Sequence, residues 1–226
     1  MDRTPPVLYD WPSAAAVGSV VPKSRFYEAA RLKPATRERF VQDVKRITWA
    51  YKLAETTIHL AGTSDLREIQ VFEVEAKGED VPDPVLAAIA QAVRSPILFE
   101  VVRASGERRT AVCLGQAGCF TTGWSVEGAA RSPMPTSINL EALYLALAGG
   151  VLPLVPRVGE RQSALVDRLR QMRTVQREIS ALERRLRSEP QLNRKFDLRR
   201  TLVSRQAELS DLKTATKPST VTTTKN

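Results

Sequence analysis

The segment Glu73-Val74-Glu75-Ala76-Lys77 is the one stretch whose side-chain types and spacing suggest a reaction. Alternate residues of a strand share a face, so an extended backbone here turns Glu73, Glu75 and Lys77 the same way. Two carboxylates can hold a hard divalent cation such as magnesium, and a neighbouring lysine can steady an attacking water or a phosphate. An upstream carboxylate would complete the set, and Asp65 or Glu68 could supply it; with Asp65 and Glu75 as metal ligands, the chemistry would be metal-assisted hydrolysis of a phosphodiester. The competing reading is a solvated, charged strand end, because Asp65 falls in a Gly62-Thr63-Ser64-Asp65 turn rather than on a strand of its own.

A second group of residues suggests binding rather than reaction. Residues 1–155 carry 17 basic and 17 acidic residues, whereas residues 156–226 carry 17 and 8, so the formal charge of +9 falls entirely in the last third. An acidic partner follows from that asymmetry, either nucleic acid or an acidic protein face. Arg184, Arg185, Arg194, Lys195, Arg199 and Arg200 cluster around a break between two helical patterns and are the candidate contact residues. Basic groups that neutralise phosphates give binding that falls steeply with salt. Acids such as Glu178, Glu183 and Glu208 are interspersed, which equally suits a solvated hairpin that grips a protein.

Other chemistries find little support. His59 is the only histidine and sits between Ile58 and Leu60, as a structural histidine would. Cys113 and Cys119 are too few for a zinc site, which needs about four ligands, and read as reduced, half-buried thiols of a cytoplasmic protein. No G-x-x-x-x-G-K-[ST] or G-x-G-x-x-G phosphate loop occurs. Trp11, Trp49 and Trp124 read first as core residues, although Trp49 with Tyr51 and Lys52 could stack on bases. The N-terminus lacks the basic-then-apolar order of a signal peptide, and no run of ~18 apolar residues suggests a membrane span. The balance favours a binding protein without a cofactor over an enzyme.

The elements that must position these residues form an α+β pattern in 226 residues: a mixed β-sheet with packed helices over 1–155, an antiparallel basic helical hairpin over 156–214 and a polar, disordered tail over 215–226. The first 20 residues read as an extended lead-in. A short helix opens at Ser24 and ends at Pro34. A second, capped by Thr36, spans about 36–54, because Phe40, Val44, Ile47 and Tyr51 recur at helical spacing. Residues 56–60 suggest a short strand, and LREIQVFEVEAK a long one. A helix over about 84–94 then leads to the strand ILFEVVR, which implies a parallel crossover. RTAVCLG and CFTTGWSV continue as an antiparallel meander, and an apolar helix at 140–148 is capped by Ser137 or Asn139. In the last third, helices over about 160–188 and 192–213 pack like a coiled coil, the second carrying Phe196, Leu198, Leu202, Leu209 and Leu212. Such a hairpin could also pair two copies of the chain.

Two resemblances attach to these residues. The strand ending Glu75-Ala76-Lys77 is similar to the second half of the PD-(D/E)xK nuclease motif. More broadly, YDWP, VPKSRFYE, RFVQDVKRITWAYKLAETTIHL, EIQVFEVEAK, SPILFEVV and QLNRKFDLRR, in that order, resemble the bacterial domain-of-unknown-function family 4391, from about Pro22 to Leu212. That resemblance implies genomic context rather than catalytic residues: members encoded beside a superfamily-two helicase and a DNA methyltransferase in restriction-like or antiphage islands. It implies an accessory subunit, with the helicase or methyltransferase as partner and DNA as a further contact.

Overall fold

The computed structural model describes residues 6–214; the tail over 215–226 lies outside the described residues. The fold is α+β. In chain order the elements are β1 (Tyr9–Asp10), β2 (Ala16–Val20), α1 (Lys23–Ala29), α2 (Pro34–Asp43), β3 (Val44–Ala54), α3 (Glu55–Ile58), β4 (Glu68–Ala76), α4 (Asp83–Val93), β5 (Ile97–Val102), β6 (Arg108–Cys113), β7 (Cys119–Thr121), β8 (Ser132–Pro133), α5 (Leu140–Gly149), α6 (Gln162–Ser188) and α7 (Leu192–Lys213). They divide into two compact units, one up to Pro153 and one from Leu154.

In the first unit six strands form one sheet in the order β2-β3-β4-β5-β6-β7. Only β4 and β5 run parallel, joined through α4; the other neighbours are antiparallel. Alternation along the central strands gives the sheet two different faces. On one, Ile47, Phe72, Val74, Phe99, Val101 and Ala111 pack against Phe26 of α1, Phe40 of α2 and Val85, Leu86 and Ile89 of α4. On the other, Ile69, Val71, Leu98 and Val112 are buried, and α5 lies against β4. The Asn139 side chain caps α5 by accepting from Ala142 N at 2.8 Å, as the asparagine alternative required. The crossover β4-α4-β5 and the meander β5-β6-β7 also follow the sequence reading.

Four expectations are corrected. The helix over 36–54 ends at Asp43, and Val44–Ala54 is an eleven-residue strand. Its pairing with β4 slips between Val44 and Arg46 and again between Trp49 and Tyr51. The first bulge inserts one residue, so Val44 and Ile47 face the same core although they are three apart. Phe40 of α2 and Tyr51, which the second bulge turns to the opposite face, complete a helix-like spacing without sharing one surface. The lead-in instead contains β2, paired antiparallel with β3. Residues 56–60 do not form a strand: Glu55–Ile58 is a single helical turn, closed by His59 in the left-handed conformation (φ 52°). The helix starts also move: α1 is preceded by Pro22 rather than capped by Ser24, and α2 begins at Pro34, where the fixed proline φ suits the first turn, so Thr36 caps nothing.

The cysteines, expected as reduced thiols, form a disulfide. The turn after Cys113 folds β7 back so that Cys113 and Cys119 are directly opposed, with Cα atoms 4.0 Å apart. Spacing alone does not reveal that register.

The second unit contains α6 and α7. Gln171 donates to Glu208 at 3.1 Å and Arg205 pairs with Glu178 at 3.1 Å, which fixes the helices as antiparallel. Leu165, Leu169, Met172, Val175 and Ile179 form the buried stripe of α6. On α7 only Leu212 is fully buried, and Phe196, expected on the packed stripe, is 57% exposed. Among the described residues no helix is long and apolar enough to cross a membrane.

Candidate functional site

The polar chemistry of the first unit converges on the sheet face opposite α4, between β3 and β6. Glu73 of β4 and Glu100 of β5 are in-register neighbours across the parallel pair. They therefore stand side by side on one face, and two bare carboxylates so placed would repel. Arg108 of β6 bridges them: its Nη1 donates to Glu73 Oε2 at 2.6 Å and to Glu100 Oε2 at 3.3 Å. Arg131 grips Glu100 with two hydrogen bonds of 2.7 Å and also donates to the Tyr9 carbonyl at 2.6 Å. The short parallel pairing of Tyr9 with Ser132 brings Arg131 into place. Trp11 Nε1 completes the set, donating to Glu100 Oε1 at 2.6 Å. Glu100 is 5% exposed, and its paired carboxylate holds the Arg131 guanidinium above its ordinary pKa, against the opposing effect of burial.

This network floors a cleft of about 370 Å³ lined by small residues, Ala16, Gly18 and Ala50, together with Thr48, Tyr51 and Val71. The bulge at Ala50 matters here. It returns Tyr51 to the face of its cross-strand partner Val71, whereas unbroken alternation would leave Tyr51 beside Trp49 on the core side. Gly18 sits in the irregular stretch of β2 with φ +69°, and nothing lies within 4 Å of the place a Cβ would occupy.

The strand residues singled out from the sequence are split by this arrangement. Glu73 belongs to the cleft. Glu75 is taken by Arg46 and, at 3.3 Å, by Lys45, while Lys77 Nζ donates to the Val41 carbonyl at 2.7 Å. Asp65 lies in the loop before β4 beside Ser64. Glu75 is near the far end of that strand, at about 3.3 Å of rise per residue, so the two do not meet. Among the described residues no three His, Cys, Asp or Glu side chains gather as a metal site. Glu100, Arg108, Arg131 and Trp11 escaped sequence reasoning. A glutamate inside ILFEVV was the only available signal, since an acid in an otherwise apolar central strand needs a partner.

The candidate contact residues of the hairpin flank the turn between α6 and α7. Arg184, Arg185, Arg194, Arg199 and Arg200 are exposed and Lys195 is half-buried. Arg200 pairs with Asp197 at 3.1 Å; the other five form no ion pair among the described residues. Leu192, Phe196 and Val203 lie on one side of α7 and are 64%, 57% and 64% exposed. Their spacings of four and seven return to the same helix face.

Arg168 of α6 is, unlike the arginines at the hairpin turn, 5% exposed. Its guanidinium donates to Glu160 at 2.6 and 2.9 Å, to the Leu212 carbonyl at 2.7 Å and to the Val155 carbonyl at 3.0 Å. Burial opposes ionisation of Glu160, but hydrogen bonds from Arg168 and the Arg157 backbone outweigh it and hold the carboxyl below its ordinary pKa.

A mixed-sheet α+β unit with a charge-compensated cleft, followed by an arginine-rich helical hairpin, defines a two-part α+β protein. The chain belongs to the family described as Domain of unknown function (DUF4391), which it matches over residues 9–209. No curated protein and no solved structure matches it.

Proposed function

We propose that this chain is a non-enzymatic accessory subunit of a cytoplasmic bacterial DNA-targeting restriction or antiphage system. In this reading it binds the helicase or DNA methyltransferase of that system and, through its hairpin, DNA. The observation that carries the proposal is the cluster at the hairpin turn. Six basic side chains gather there and one carboxylate answers one of them, whereas the first 155 residues are charge-neutral. Positive charge left without internal partners is available to an acidic ligand. The exposed Leu192, Phe196 and Val203 beside it supply apolar area of the kind a protein partner covers.

The test is binding of the full chain to a labelled DNA duplex across a salt series. Each phosphate neutralised contributes a slope of about −0.9 in log K against log salt. Replacing Arg184, Arg185, Arg194, Lys195, Arg199 and Arg200 by alanine is expected to flatten that slope by up to about 5. An unchanged slope in the six-fold variant removes DNA from the proposal and leaves the hairpin to a protein partner. The same titrations with magnesium are expected to yield no cleavage fragments, since Arg46 and Lys45 engage Glu75 and the Val41 carbonyl engages Lys77. Magnesium-dependent fragments that vanish in Glu75→Ala would restore the nuclease alternative.

A further inference from the structure

The cleft on the sheet spends four charged groups in a place where apolar side chains would serve the fold as well. A partly buried ion-pair network gives little net stability over a hydrophobic filling, so its presence beside an open cavity points to a ligand. The groups that the network leaves unused define that ligand. Arg108 engages Glu73 and Glu100 through Nη1 alone. Its Nη2 and Nε, two donors in one plane, have no partner among the described residues. Glu73 is engaged through Oε2, which leaves Oε1 as an acceptor. The hydroxyls of Thr48 and Tyr51 line the same cleft and make no hydrogen bond among the described residues. Arg108 and Glu73 thus offer two donors and an acceptor in a cleft that Tyr51 also lines.

We propose that this cleft binds the base of a guanine nucleoside, with the Arg108 fork on N7 and O6 and Glu73 accepting from N1–H. Guanine presents acceptor, acceptor, donor along that edge, and an arginine fork on O6 and N7 is the commonest way proteins read it. Adenine places a donor at the second position, so it sets one N–H against another. Uracil alternates acceptor, donor, acceptor and fails in the same way. Cytosine repeats the guanine order through O2, N3 and N4–H, but a pyrimidine leaves more of the cleft empty. The volume, about 370 Å³, lies at the small end of ligand-sized pockets, about 300–1,000 Å³. Trp11 and Arg131 fix Glu100, and Glu100 in turn fixes Arg108, so the reading groups are pre-organised. The inference does not depend on the hairpin contacting DNA.

Calorimetric titration of the full chain with guanosine, adenosine, cytidine and uridine tests the assignment. Nucleosides carry no phosphate, so the basic hairpin contributes nothing to the signal, and the outcome is separable from that of the DNA salt series. Guanosine is expected to bind saturably, about tenfold or more tighter than adenosine or uridine, with cytidine weaker than guanosine. Glu73→Gln, nearly isosteric, should remove most of the preference for guanosine. Ala16→Leu, which fills the cleft from its rim without touching the ion pairs, should abolish binding while the thermal melt stays put. Failure of guanosine to bind at millimolar concentration overturns the proposal. So does equal binding of adenosine, tighter binding of cytidine, or guanosine binding that ignores both substitutions.

Discussion

Arg168→Ala is expected to open the base of the helical hairpin at a cost of about 3–5 kcal/mol to that unit, the range for removing one member of a buried ion pair. The substitution strands the Glu160 carboxylate and leaves the carbonyls of Leu212 and Val155 without the donor they share. Three stretches of chain meet at this one guanidinium: the connector before α6, α6 itself and the end of α7. Hydrogen exchange should therefore show lost protection in both helices, strongest towards Leu212, with the sheet amides unaffected. Arg168→Lys should recover little, because an ammonium cannot reproduce the planar, forked contact. Wild-type protection in Arg168→Ala would mean that the apolar stripe of α6 alone holds the helices together.

The same pair makes the hairpin acid-sensitive. Glu160 titrates below its unfolded value, so its contribution is fully present above the ordinary carboxylate pKa, about 4.3. It is lost as pH falls from there through the lower, folded pKa. Loss of α6 and α7 protection as pH falls below the ordinary carboxylate pKa, about 4.3, is expected in the wild type. In Glu160→Gln that part of the pH dependence should disappear, leaving a hairpin weakened at neutral pH.

Phe99→Ala carries the other large effect. The ring is fully buried on β5, in the cluster that joins the central strands to α4, and truncating a core phenylalanine costs about 3–5 kcal/mol. Chemical denaturation monitored by tryptophan fluorescence should show a correspondingly lower midpoint. Its neighbour Glu100 projects from the opposite face, so Glu100→Gln is expected to leave this cluster packed while loosening Arg108 and Arg131 around the cleft. Lost amide protection in α4 in Glu100→Gln, as in Phe99→Ala, would contradict the assignment of the two side chains to opposite faces of the sheet.

The parts of this protein governed by local rules can be read from its residues alone. Strand β4, helix α4, the parallel crossover to β5 and the capped α5 are all legible as period, turn residues and a capping asparagine. So are the two helices of the hairpin and the concentration of charge upon them. Features in which distant residues meet emerge from the folded chain instead. Strand β3 was hidden because its first bulge sets Val44 and Ile47 three apart on one face, while Phe40 of the preceding helix and Tyr51 on the opposite face extend that spacing by coincidence. Pairing with β2 and β4 outweighs the local pattern. The disulfide depends on the register of β6 against β7. Arg168 reads as one surface arginine among many until Glu160 and the end of α7 fold around it. The cleft draws Trp11, Glu73, Glu100, Arg108 and Arg131 from five separate segments, and no spacing in the chain encodes them. They belong together because sheet register places two glutamates side by side, and burial of those charges requires the arginines that neutralise them.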